Sequence, residues 1–352
     1  MRRSILLQPS LRYSQGVTLI ETMVGIVIGM IAVLVMTQIY ILSEGQRRTS
    51  ASTVDAQSSG QLSAFFLDRD IRMAGMGLML SNCTVIKAYN AALPAGSQYF
   101  TVTNLPVTLT PPGGSDPNDQ INVLYSASAM AGLPATITKD MPNSSAVFHV
   151  GVGVGIKSGD MVVVSQPPKD CSLAQMSQDA QPVGGNPPGY DLQHNPGACC
   201  NFNPPGGANP FPTYTTGAQV FDVGQFVQHN YFVQNSSLMM TDVIAGTTQT
   251  IASGIVGLRA YYGRDNVGND GVIDVWDDSA TVPASPKEVM AIRYAIVAQS
   301  GNYEKNTVSP ASLTLWPGGP AFALSATQQH YRYKIYQSTV PLRNVVWFKA
   351  WS

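Results

Sequence analysis

The chain has 352 residues, of which 12% are charged, with 20 Lys and Arg against 21 Asp and Glu. A net charge of −1 without a basic stripe speaks against a nucleic-acid binder, and no nucleic-acid partner is expected. The length allows one large domain or two moderate ones, in a chain where glycine and proline are frequent.

The first element is a continuous apolar run ending at Leu42, with residues 22–42 free of charge. About 20 apolar residues suffice to cross a ~30 Å hydrocarbon core as a helix. Glu21 is the one charge within the run, and at membrane depth a carboxylate costs about 2.5–3.5 kcal/mol on insertion scales. Ahead of it stand Arg2, Arg3 and Arg12 with no acid, which places that end in the cytoplasm and the bulk of the chain outside it. A secretory signal carries its small-residue cleavage site after the apolar region, whereas Gly16 precedes it. The stretch Gly16-Val17-Thr18-Leu19-Ile20-Glu21 resembles the type III signal of type IV pilins and pseudopilins. The resemblance implies cleavage after Gly16 by a prepilin peptidase and methylation of the new terminus at Val17, where the family usually has Phe. It also implies that Glu21 faces the N-terminal ammonium of Val17 in a neighbouring subunit once helices pack in a filament. Two groups that are costly to desolvate singly then offset each other. Gly25 and Gly29 form a G-x-x-x-G that permits close helix contact in lipid, and the mid-helix proline of many major pilins is replaced by Gln38. Removal of residues 1–16 takes three arginines and leaves 17 basic against 21 acidic side chains, a net charge of −4.

From Ser43 the chain turns polar yet stays helix-compatible to Met76, with Leu62, Phe65, Phe66 and Met73 as an apolar face and Asp68, Arg69, Asp70 and Arg72 on a wetter side. Gly75 and Gly77 are read as the helix end. The string Asp68–Gly77, followed by Cys83, resembles the helix end of the PilW family of minor pilins and, less closely, the J-type pseudopilin of type II secretion.

The remainder reads as β-rich. Gln120–Tyr125, Ala146–Val154, Asp160–Ser165 and Gln225–Val233 carry β-branched and aromatic residues between turn signals. A Pro/Gly-rich loop is expected over about 167–217, as a stapled insertion or a contact surface for another pilin or a tip protein. Four cysteines, Cys83, Cys171, Cys199 and Cys200, suit disulfides in an exported head. Sequence leaves three pairings open, although adjacency makes a Cys199–Cys200 bond strained, so each is expected to pair elsewhere. The segment Asp265–Asp278 is read as a hairpin loop, with Asn266, Asp270, Asp274 and Asp277 as a candidate calcium set defective at Gly268. No other cofactor is expected. Met290, Ile292, Tyr294 and Ile296 alternate along one strand, and Tyr331–Tyr336 alternates aromatic with basic residues. The following Thr339–Asn344, T-V-P-L-R-N, resembles the PilW C-terminal signature. No G-x-S-x-G, H-E-x-x-H or P-loop is present, and no enzyme is expected.

The expected fold is α+β: a leader at 1–16, a membrane-spanning helix at 17–42, its amphipathic continuation at 43–76, and a β-rich head at 77–352. The resemblance implies a minor pilin that helps initiate pilus assembly and sits at the filament tip. It would start as a single-pass inner-membrane protein with a periplasmic head and then enter the pilus. Its implied partners are the major pilin, other minor pilins, the prepilin peptidase, the assembly platform and a tip adhesin. A type II secretion pseudopilin and a membrane-anchored calcium-dependent binding protein are the alternatives.

Overall fold

A computed structural model describes residues 16–114, 116–128, 134–153, 155–184, 188–197, 199–205, 211–268 and 270–351. The chain divides into two units, one ending at Ser52 and the other running from Thr53 to Ser352. Arg2, Arg3 and Arg12 of the expected leader lie outside the described residues.

In the first unit the helix α1, Leu19–Met73, begins where Thr18 caps it. The Thr18 hydroxyl accepts the backbone N–H of Glu21 at 3.3 Å, satisfying one of the orphan donors of the first turn. T-L-I-E is therefore also the sequence of a capping box. No residue of 16–43 is buried. The hydroxyls within the apolar run stay inside the helix: Thr22 donates to the Leu19 carbonyl and Thr37 to that of Val33, both at 2.8 Å.

In the second unit the rest of α1 lies on β-structure. The five-stranded sheet runs in the order Thr247–Ser253, Ser237–Asp242, Phe226–Gln234, Gln120–Ser126 and Val107–Thr110. A four-stranded sheet runs Val275–Asp278, Ile255–Arg264, Val289–Gln299 and Tyr333–Pro341. Leu67, Ile71 and Ala74 join Ile121, Tyr231, Leu258, Tyr294 and Val340 from these two sheets in one core. A six-stranded sheet, built around Met161–Gln166 and Lys169–Gln175, forms further cores with the chain after α1 and with a three-stranded sheet. The pair Ser312–Thr314 and Ala321–Ala323 belongs to a loop whose Trp316, Phe322 and Leu324 cover the far face of Val289–Gln299. That strand is consequently apolar on both faces, beyond the single alternation of Met290, Ile292, Tyr294 and Ile296.

The buried stripe of α1 differs from the expected one. Ala56, Gly60, Ser63, Leu67, Asp70 and Ala74 recur at spacings of four and three and are all buried. Of the predicted face, Phe66 and Met73 do pack against the head core, whereas Phe65 is 62% exposed and Leu62 43% and point away from it. Small residues let the strands approach. A Cβ on Gly60 would lie 2.1 Å from the Tyr336 ring, whose hydroxyl donates to the Gln57 carbonyl at 3.1 Å. The helix ends at Met73, three residues before the expected Met76, and Gly75 at φ +75° turns the chain with its N–H on the Leu124 carbonyl at 2.8 Å.

The stretch read as a Pro/Gly-rich loop contains Lys169–Gln175, Gln181–Val183 and Gly189–Leu192 as strands. Of the remainder, residues 185–187, 198 and 206–210 lie outside the described residues.

Candidate functional site

Two places carry the functional argument. The first is the start of α1. Gly16 precedes the helix, Val17 is 68% exposed, and Glu21 sits in the first turn on the helix N-terminus, where a negative charge is favoured. A Cβ added at Gly25 or Gly29 would meet nothing within 4 Å, so their surface is open to another helix.

The second is where α1 meets the head. The reading of Asp70 as a wetter residue is overturned: its side chain is fully buried. The phenol of Tyr231 donates to its Oδ2 at 2.6 Å, and His229 Nδ1 lies 2.6 Å from the same oxygen. Arg69 Nε reaches Oδ1 at 3.1 Å. An ionised carboxylate only accepts, so His229 Nδ1 carries the hydrogen. Burial pushes the Asp70 carboxyl up, but the bonds from His229 and Tyr231 and the charges of His229 and Arg69 outweigh it and hold it below the usual carboxylate value. Burial and then the same carboxylate push the Tyr125 phenol up to about 12 and raise that of Tyr231. Nearby on the helix, Asp68 accepts a bond from the Tyr294 phenol at 2.6 Å. His229 and Tyr231 are two apart on one strand and so share a face, which is the one sequence signal for this cluster.

The C-terminal signature completes the grip. The amide of Asn344, in helix α2, Arg343–Trp351, donates to the carbonyls of Met73 at 3.2 Å and Ala74 at 3.0 Å. Both carbonyls belong to the α1 terminus, and that of Met73 also accepts the Met76 N–H at 3.0 Å.

The cysteines fall into two bonds. Cys83 joins Cys171 with Cα atoms 6.0 Å apart, across the parallel pairing that sets Ile86 opposite Cys171. With Cys171 so engaged, Cys199 and Cys200 are bonded to each other, contrary to the expectation that each pairs elsewhere. The candidate calcium residues are turned onto other partners. Asp274 Oδ2 accepts the N–H groups of Asn266 and Val267, Asp270 accepts that of Val272, and Asp277 pairs with Arg264 at 2.6 Å. Among the described residues no group of three or more acids, histidines or cysteines converges as a metal site. Carboxylates that cap a loop's own amides stabilise the turn without an ion.

Residues 226–344 match the family described as Type IV Pilus-assembly protein W, and residues 11–37 match the Prokaryotic N-terminal methylation motif. No curated protein and no solved structure matches the chain. The first match begins on the strand that bears His229 and Tyr231 and ends on Asn344, so it takes in the head elements that hold α1. Head and N-terminus together identify the chain as a type IV pilus-assembly protein of the PilW family with a prepilin methylation motif.

Proposed function

We propose that the protein is a minor pilin, cut after Gly16, methylated on Val17 and used to initiate pilus assembly at the filament tip. The observation that carries this reading is the fully exposed apolar run of α1 with Glu21 at its capped start. Such a surface is stable in lipid or against other helices and unstable in water. In this reading the prepilin peptidase and the assembly platform act on the membrane form. The major pilin and other minor pilins then replace lipid around the helix, and the head holds any tip partner. The role is structural rather than catalytic. Glu21 sets axial register by meeting the Val17 ammonium of a neighbour.

Glu21→Ala tests this. It removes a carboxylate that costs about 2.5–3.5 kcal/mol at membrane depth, so insertion is retained or improved. Incorporation into sheared filaments falls well below that of the unaltered protein. Equal incorporation of both forms contradicts the register role.

A further inference from the structure

The face of the four-stranded sheet turned away from α1 carries a feature that anchoring does not use. Arg293 lies in the middle of Val289–Gln299, an otherwise uncharged strand. It is half-buried, and among the described residues no carboxylate lies within 4.0 Å of it. A cation held on a central strand without a counter-ion is costly unless something else fixes it.

Two tryptophans shape its surroundings. The guanidinium sits 4.0 Å from the ring centroid of Trp276. Trp276 can lie flat because its cross-strand partner is Gly263, where a Cβ would come within 2.8 Å of the ring. Trp316 packs in the same way over Gly319, where a Cβ would meet its Nε1 at 2.2 Å. Arg293 Nε donates to Thr339 Oγ1 at 3.3 Å. The terminal nitrogens form the fork that matches a carboxylate.

A groove of about 430 Å³ is lined by Arg293, Trp316, Pro317, Gln337, Ser338 and Thr339. Three of these are consecutive residues of Tyr333–Pro341, which is the edge strand of its sheet. Among the described residues no strand pairs with its outer side. The groove therefore runs along backbone that can pair with an added strand, beside one stacked arginine.

We propose that this edge is a docking site for an extended acidic segment of a partner protein, which adds as a strand along Gln337–Thr339 and places one carboxylate on Arg293. Charge complementarity selects the occupant: the fork discriminates Glu or Asp from their amides, and the edge supplies sequence-independent affinity.

The test uses the full chain in detergent micelles and two synthetic peptides, acetyl-Thr-Val-Thr-Glu-Val-Thr-Val-amide and the same peptide with Gln for Glu. Binding is read by calorimetry and by isotope-edited NMR. The Glu peptide is expected to bind about tenfold or more tighter than the Gln peptide. Arg293→Gln abolishes that difference, and Arg293→Lys, which keeps the charge but loses the stacked fork, leaves an intermediate one. Alternate backbone N-methylation of the Glu peptide, tested on the unaltered protein, removes binding. Equal affinity of the Glu and Gln peptides overturns the proposal, as does undiminished binding of the N-methylated peptide. Free glucuronate binding as tightly as the Glu peptide also overturns it, because recognition would then be of a carboxylate and not of a strand.

Discussion

Asp70 offers the sharpest test of how the head holds α1. Replacing it with Ala leaves the Tyr231 hydroxyl and the His229 ring without their acceptor and Arg69 without its partner. Breaking a buried pair by removing one member costs about 3–5 kcal/mol, because the other member stays desolvated. Asp70→Asn keeps the shape and an acceptor oxygen but loses the charge, and costs about 1.5–3 kcal/mol, the range for one charge-assisted bond. Neither figure is the sum over three bonds, since one carboxylate serves all of them. Thermal unfolding gives the global cost, and hydrogen exchange of residues 53–73 reports whether the helix segment opens locally. Both substitutions are expected to lower protection there, Ala more than Asn. The pH dependence adds a second reading. The folded carboxyl binds its proton more weakly than the ordinary value of 3.8, so on acidification the unfolded chain is protonated first. The contribution is complete above that value and is lost as pH falls below it, and Asp70→Asn flattens this part of the profile. A loss under about 0.5 kcal/mol for both variants, the range of an ordinary surface substitution, with unchanged exchange, would refute the account of the cluster.

Other outcomes follow from the same packing. Gly60→Ala gains about 0.8–1.0 kcal/mol of helix propensity but drives a Cβ into Tyr336, at an overpacking cost of about 1–3 kcal/mol. It is expected to destabilise the head in chemical denaturation and to stabilise it once Tyr336 is also changed to Ala. Replacing Cys83 and Cys171 together by Ser opens a link 88 residues apart in sequence and costs about 2–4 kcal/mol, read from the denaturation midpoint. Millimolar calcium is expected to leave the melting temperature unchanged, because Asp270 and Asp274 already serve loop amides and Asp277 serves Arg264. A calcium-dependent rise would return the loop to the candidate metal sites.

Much of the architecture is readable in the sequence because its signals are strong. An uncharged run behind a basic segment, a T-x-x-E at its start and glycines after its end delimit one helix, and alternating β-branched residues mark a β-rich head. The face of the helix that meets the head is readable only in part, through Phe66 and Met73, which pack against the core. Ala56, Gly60 and Ser63 carry no hydropathy signal, so attention falls on Leu62 and Phe65, which are exposed. The spacing of the small residues at four and three is the available clue. Asp70 reads as solvent-facing because an acid among arginines usually is, and its partners His229 and Tyr231 come about 160 residues later. Local strain alone misleads at Cys199 and Cys200, since the sequence does not reveal that the Val85–Tyr89 strand lies beside Lys169–Gln175 and commits Cys171 to Cys83. The loop acids look like metal ligands in one dimension because the residues that shape tight turns and those that bind calcium are the same.

The proposed role rests on processing of the N-terminus and entry of the helix into a filament. Mass spectrometry of the N-terminal peptide from sheared surface filaments and from the membrane fraction tests it directly. N-methylated Val17 is expected in the filaments, at low ratio to a major pilin. A leader still joined to Val17 in every fraction would contradict it.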